Sequence, residues 1–321
     1  MKIKNINKIF YTFIFILLFL LPISGNFYYI NLFTEIIIIS LLVMSLNILI
    51  GYTGMISLGH AVFLGLGAYT SALVMKDIYP SIMLGIFSAA IISSLYAFTV
   101  GIFCVRVSGL YFAMITLAFS QAIYTITYYW TSLTGGDDGM IGIPRPDLNI
   151  LGIYNFSLES LENYYYFSLI VVSSLFYVMK KILDSPFGTV LQAIRENPER
   201  VQFLGISVFR YKLGAFVLSG FFAGIAGGLF APFQGFISPE LIYWTRSGEI
   251  ILMTILGGMN SFIGPGIGAG ILILLKDNIL NYTEYWRIFL GSILIFFVLF
   301  MPGGFVGFLS EKFNEIFKIK K

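Results

Sequence analysis

Apolar runs of the length a helix needs to cross a bilayer, ~20 residues, recur along the chain, with charged side chains gathered at their ends. By that measure full spans are predicted at 9–25, 33–51, 57–75, 82–105, 109–130, 164–182, 213–233 and 288–308, about 8 in all. A further apolar stretch at 249–275 is interrupted by Gly257, Gly258, Gly264, Pro265, Gly266, Gly268 and Gly270. So many helix breakers exclude one straight helix, and a broken or re-entrant helical hairpin is expected there, with two short helices as the other form that fits. The fold class that follows is an all-α polytopic membrane protein, a single transmembrane domain over residues 1–321, because helices satisfy their own backbone groups in lipid.

The first run, with Lys2, Lys4 and Lys8 ahead of it and Ser24-Gly25 behind, has the outline of a cleavable signal peptide. An uncleaved span is preferred, because another apolar run follows at once and no soluble domain waits for export. With the amino terminus inside and the hairpin returning to the side it enters from, 14 of the 19 Lys and Arg fall inside. Only Lys76, Arg145, Arg246, Lys276 and Arg287 fall outside. This is the positive-inside asymmetry, and it puts both termini in the cytoplasm. Counting the hairpin as a full crossing would carry the Lys-rich tail outside.

Composition agrees and removes several classes of function. Hydrophobic residues are 58% and charged residues 11%, with a mean hydropathy of +0.90. So few charged side chains cannot cover the apolar surface of a soluble globule of this size. One cysteine, Cys104, allows no internal disulfide, and with one histidine, His60, it excludes metal sites built on several thiolate or imidazole ligands. No G-x-x-x-x-G-K-[ST] phosphate loop occurs, so ATP bound in that manner has to be bound by another subunit, and no cofactor is expected in this chain. The net charge of +3 is scattered, without a dense basic tract, so nucleic acid is not an expected partner.

Two polar segments stand out. The outer one, 131–163, holds Gly135-Gly136-Asp137-Asp138-Gly139, then Pro144-Arg145-Pro146 and Asp147, Glu159 and Glu162. It reads as an acidic, turn-rich lid, open to two roles: a solvated connector, or a docking surface for an extracytoplasmic partner centred on Gly135, Gly136, Asp137 and Asp138. EF-hand ligand spacing is absent. The inner one, 183–211, predicts a helix capped by Asp184 or Ser185, with Pro186 in its first position and an end at Asn197-Pro198. A second short helix from Pro198 to Leu204 should stop at Gly205. The charges of Arg195, Glu196, Glu199 and Arg200, with the apolar Val190, Ile194, Val201, Phe203 and Leu204 between them, suit a groove in another protein. Resting on the lipid surface is the other reading, disfavoured because such helices oppose a broad apolar face with Lys and Arg rather than acids.

Glycine and small polar residues interrupt two apolar stretches, 47–59 and 257–266. Non-helical backbone at membrane depth is tolerated where it is buried in protein or lines a watery cavity, so these stretches mark a candidate substrate path. The residues that put hydrogen-bonding groups there are Asn47, Tyr52, Thr53, Ser57, His60, Asn260 and Ser261. Tight helix packing through small residues is the alternative for both stretches, and the one adopted for Ala223 to Gly228. His60, three residues after Ser57, should share its helix face and make an interhelical hydrogen bond in preference to relaying a proton. Glu35 and Glu249 lie near the outer ends of their spans, where they are cheaply hydrated.

Several stretches, in order, resemble the branched-chain amino acid ABC transporter permease family, specifically its LivM-like subunit. They are Ser45-Leu46-Asn47-Ile48-Leu49-Ile50-Gly51-Tyr52-Thr53-Gly54 with Ser57-Leu58-Gly59-His60-Ala61, then Gly109-Leu110-Tyr111-Phe112-Ala113 and Thr131-Ser132-Leu133-Thr134-Gly135-Gly136. Ser185-Pro186-Phe187-Gly188, Ala193-Ile194-Arg195-Glu196-Asn197, Gly235-Phe236-Ile237-Ser238-Pro239 and Leu256-Gly257-Gly258 follow. The chain departs from the family pattern at Asp137-Asp138.

The resemblance implies a type II ABC importer-like permease in a bacterial inner membrane. Its partners would be a second, LivH-like permease, two cytoplasmic ATPase subunits that bind the ATP, and an extracytoplasmic solute-binding protein. It also implies that the segment holding Ala193, Ile194, Arg195, Glu196, Asn197 and Gly205 couples to the ATPase. The solute would be a branched-chain amino acid or, as in related systems, urea or a short amide. Two classes compete with this reading: an ion-coupled secondary transporter acting alone, and a membrane enzyme, which lacks converging catalytic groups in this sequence.

Overall fold

A computed structural model of the chain describes residues 17–150 and 154–282, together with 285, 288–289, 291–292, 295, 301 and 303–308. Among the described residues the helices of six residues or more are, in chain order, α1 (Phe27–Thr53), α2 (Ala61–Leu73, carried on by a π-helical turn Val74–Ile78), α3 (Ile82–Cys104), α4 (Leu110–Tyr129) and α5 (Leu161–Leu183). Then come two short helices, α6 (Pro186–Glu196) and α7 (Pro198–Phe203), the long α8 (Val208–Gln234), and the pair α9 (Trp244–Gly257) and α10 (Gly264–Leu280). Six helices among the described residues, α1 to α5 and α8, are long and apolar enough to cross a membrane. The predicted spans 9–25 and 288–308 lie partly outside the described residues, and neither is among these six helices.

The six spans fall on the predicted runs: α1, α5 and α8 overrun theirs at both ends, α3 and α4 stay within theirs, and polar side chains cap the starts of α1 and α5. Asn26 accepts the Tyr28 N–H at 3.0 Å to start α1, and Ser160 accepts the Asn163 N–H at 3.2 Å to start α5. α2 begins late, at Ala61 and not at Ser57, because Gly54 to Ser57 are irregular and Leu58 to His60 form a turn. Ser57 and His60 therefore do not share a helix face.

α1 is apolar all round and buried along most of its length, the expected position for such a helix. α8 crosses α2 and α3 at near-contact of their backbones. A Cβ at Gly67 would strike the carbonyl of Gly224, one at Gly227 the carbonyl of Leu64, and one at Gly224 the side chain of Ser93. The Ala223 to Gly228 stretch is thus a small-residue packing face. Beside it Phe216 meets Phe63 and Phe112 edge to face, with ring centres 5.4 and 5.9 Å apart. Phe87, Ile91 and Leu95 of α3, Tyr111 and Met114 of α4 and Tyr177 of α5 point outward, as side chains facing lipid or a neighbouring subunit do.

The 249–275 stretch is two helices folded back on each other, longer than expected at both ends. Gly257 lies against the carbonyl of Gly264, and Gly268 against that of Met253, an approach only glycine permits.

Four short strands, not predicted, organise the end of the molecule where α4 finishes and α5 starts. They are β1 (Met140–Ile141), β2 (Leu148–Ile150), β3 (Tyr154–Phe156) and β4 (Phe236–Ile237). β1 pairs antiparallel with β4, Met140 opposite Ile237, and β2 with β3, Leu148 opposite Phe156. These strands are too short for an alternating pattern to announce them.

Candidate functional site: two broken helices joined by one arginine

α1 ends at Thr53 with Gly54 in a left-handed conformation (φ 73°), and the N–H groups of Gly54 and Met55 both turn back to the Leu49 carbonyl, a glycine-closed helix end. The chain then climbs back through Ser57 and His60 to α2. Side chains from distant helices hold this return: Thr116 of α4 accepts the Leu58 N–H at 3.2 Å, and Ser247 of α9 accepts the Ala61 N–H at 3.0 Å. The His60 ring meets the Ser45 hydroxyl of α1 through Nε2 at 2.8 Å. The hydrogen bond to another helix expected of it is made, but from the turn before α2 rather than from a helix.

The second break is the turn between α9 and α10. Ser261 accepts the Gly264 N–H at 2.8 Å and donates to the Gly258 carbonyl at 3.3 Å, so the turn is closed from within. A Cβ on Gly51 would meet the carbonyl of Met259, which places this turn directly on the end of α1. Lys180, at the end of α5, lies 5.9 Å from the ring centre of Phe262 in the same turn.

Arg195 joins the two breaks. Its guanidinium donates to the Gly51 carbonyl through Nη1 and to Asn260 Oδ1 through Nη2, the latter at 3.2 Å. The α6 helix that carries it starts where predicted, Ser185 accepting the Phe187 N–H at 3.3 Å. It docks on the membrane helices through buried Gly188, Leu191 and Ile194. Asn197 caps α7, accepting the Arg200 N–H at 3.0 Å, and Gly205 takes φ 80° just past its end. Ala193 is half-buried, whereas Glu196 is exposed. The most exposed apolar side chains of the segment are Phe203 at 89% and Leu204 at 78%.

In and beside this junction three polar atoms are buried without a hydrogen-bond partner: Asn47 Oδ1 next to Gly51, and Ser57 Oγ and His60 Nδ1 on the return segment. Each such atom costs about 1–3 kcal/mol. Tyr52 is half-buried, and Thr53 spends its hydroxyl on the Leu49 carbonyl. Of the path candidates, the fold thus brings Asn47, Asn260 and Ser261 to one junction, with Tyr52 and Thr53 on the helix end that forms it. Ser57 and His60 lie on the return segment. No group of three His, Cys, Asp or Glu that could hold a metal ion occurs among the described residues. Glu249 is engaged with Arg246 at 2.7 Å.

At the opposite end, Gly135 (φ 78°) and Gly136 (φ 64°) form a tight turn in which a Cβ at Gly135 would strike the Gly139 carbonyl, and Asp137 and Asp138 project from it, exposed. Arg145 fastens this region, donating to the carbonyls of Pro232 at 2.7 Å and Phe233 at 2.6 Å, with its guanidinium 5.5 Å from the Tyr164 ring centre. Pro232 removes one N–H from the last turns of α8. Ser247 was not singled out from the sequence, and Arg145 only as part of Pro144-Arg145-Pro146, without this role. Arg145 carried a signal, a lone arginine between two prolines; Ser247 carried none, because what it holds lies far away in the chain.

The arrangement is that of a multi-pass helical membrane protein in which two interrupted apolar stretches meet at one junction, a construction that transport components use at a substrate path. The comparisons place it further. Residues 28–298 match the family model described as branched-chain amino acid transport system / permease component, and the chain belongs to that family. It is 31% identical over 294 residues to the high-affinity branched-chain amino acid transport system permease protein LivM of Salmonella typhimurium, covering 86% of this chain and 69% of that one. With LivM of Escherichia coli it is 32% identical over 284 residues, 81% of this chain and 66% of that one. A probable LivH of Methanocaldococcus jannaschii is 29% identical over 178 residues, 50% of this chain and 54% of its own. The chain thus spans about two thirds of the length of the two LivM proteins. No solved structure matches it.

Proposed function

We propose that the chain is one permease half of an ATP-driven importer of branched-chain amino acids in a bacterial inner membrane, with both termini in the cytoplasm. The family match over residues 28–298 carries this reading, and the names of the LivM relatives supply the solute class. The partners are a second, LivH-like permease, two ATPase subunits that bind the ATP and an extracytoplasmic solute-binding protein. The positive-inside count supports the orientation, placing 183–211 in the cytoplasm and 131–163 outside. The helices α6 and α7 are then the segment that meets the ATPase, with Phe203 and Leu204 as its exposed apolar contacts. Asp137 and Asp138 face the solute-binding protein. The unpaired Asn47, Ser57 and His60 atoms support a path that is shut in this conformation and hydrated when it opens.

Uptake of labelled leucine into vesicles holding the complete set of subunits is the test. Uptake is expected to need ATP and the solute-binding protein together. Uptake by this chain alone under a proton gradient, without ATP, would overturn the proposal.

A further inference from the structure

We propose that Arg195 is the latch of the inner gate: its two hydrogen bonds hold the broken end of α1 against the α9–α10 turn, and withdrawing α6 releases both at once. The bonds stand on geometry alone; only the cause of the withdrawal rests on the function proposed above.

The Gly51 carbonyl is among the last four of α1, which have no partner within the helix. A guanidinium there supplies both a donor and the charge that the helix end favours. The same guanidinium reaches Asn260, in a turn that already backs onto α1 through Met259 and Gly51. Three segments far apart in the chain, near 51, 195 and 260, therefore meet at one side chain. Directly inside this meeting point lies Asn47, 2% exposed, its Oδ1 unpaired and adjacent to Gly51. A lysine could satisfy either acceptor as a point donor, but only the planar fork of arginine spans two acceptors in fixed directions.

The lever is short. α6 is seated on the membrane helices, Phe187 stacking on Tyr211 of α8 with ring centres 5.7 Å apart. A hydrogen bond is lost once donor and acceptor part beyond about 3.5 Å, so a displacement of α6 by roughly 1–2 Å breaks both arms. Arg195 itself remains exposed on its outer side, where a partner bearing on α6 reaches it.

The test reads the gate directly, in the complete transporter in inside-out vesicles without ATP. Asn47→Cys in a Cys104→Ser background reports opening by its rate of reaction with a membrane-impermeant maleimide. Arg195→Gln is expected to speed labelling about tenfold or more, as loss of a charge-assisted pair of bonds implies, and Arg195→Lys to fall between. Asn260→Ala should speed it less, and Arg195→Gln with Asn260→Ala should be no faster than Arg195→Gln alone, because both remove one interaction. Asn260→Asp converts the second arm to a charge pair and should slow labelling below the parent. Equal rates in parent, Arg195→Gln and Asn260→Asp would overturn the proposal. Should Arg195→Gln fail to assemble, the opposed shifts of Asn260→Ala and Asn260→Asp decide it. A transporter whose labelling follows this order but whose uptake ignores ATP would keep the latch and discard the ATP-driven reading.

Discussion

The two interruptions that meet at Arg195 are closed in opposite ways. The stretch from Gly54 to His60 leans on other helices: Thr116, Ser247 and Ser45 each supply a partner from elsewhere in the chain. The α9–α10 turn is closed from within, through Ser261 and the backbone contacts of Gly257 with Gly264 and Gly268, although Gly258 is also backed by Gly303 and Gly304 and Asn260 by Arg195. A segment held by its neighbours moves when they move, whereas a self-closed turn travels as a rigid body. The pairing of one of each gives a junction with a compliant side and a stiff side.

The largest effect should come from spoiling the stiff side. Gly257→Leu drives a side chain into the backbone of Gly264 and Gly268, where nothing can yield, at a cost of about 3 kcal/mol or more. Monodisperse protein recovered from the membrane at the parent's yield would show that the two helices can part. On the compliant side, Thr116→Val with Ser247→Ala leaves two buried N–H groups unpaired, about 2–4 kcal/mol together. The melting temperature of the detergent-solubilised transporter should fall, while amide exchange in the α9–α10 turn stays as in the parent. Gly54→Ala asks a residue with a Cβ to hold φ 73° beside the Arg195 stem and should cost about 1–2 kcal/mol in the same melt. The smallest change is Ser261→Ala, about 0.5–1 kcal/mol as for a lost cap, with faster amide exchange confined to Gly264 and its neighbours. Exchange spreading to Gly54–His60 would show that the two breaks are not independent.

Much of this was legible in the chain because each legible feature is local. Span positions follow from runs of apolar residues, and α6 and α7 from Ser185, Pro186, Asn197, Pro198 and Gly205, each acting within one helical turn. The broken character of both stretches follows from their glycines. What the sequence did not show depends on partners far apart. Ser57 looked helical because nothing near it says that Thr116 and Ser247 will hold its segment unwound. Arg195 looked like one more charge on a surface helix, and only the fold brings Gly51 and Asn260 within its reach. β1 and β4 contribute two residues each, too few to leave a pattern.

That strand pair sets a schedule. Met140 is made long before Ile237, its partner across the ladder, and a chain emerges from its amino terminus onward. Until α5 and α8 have been threaded into the bilayer, β1 lacks the strand it pairs with, and only the Lys76 ammonium is there to donate to its Ile141 carbonyl. The seam is therefore a late stitch of biogenesis at that end of the molecule, and a chain halted before Ile237 would carry α1 to α5 and α8 with its cap still open.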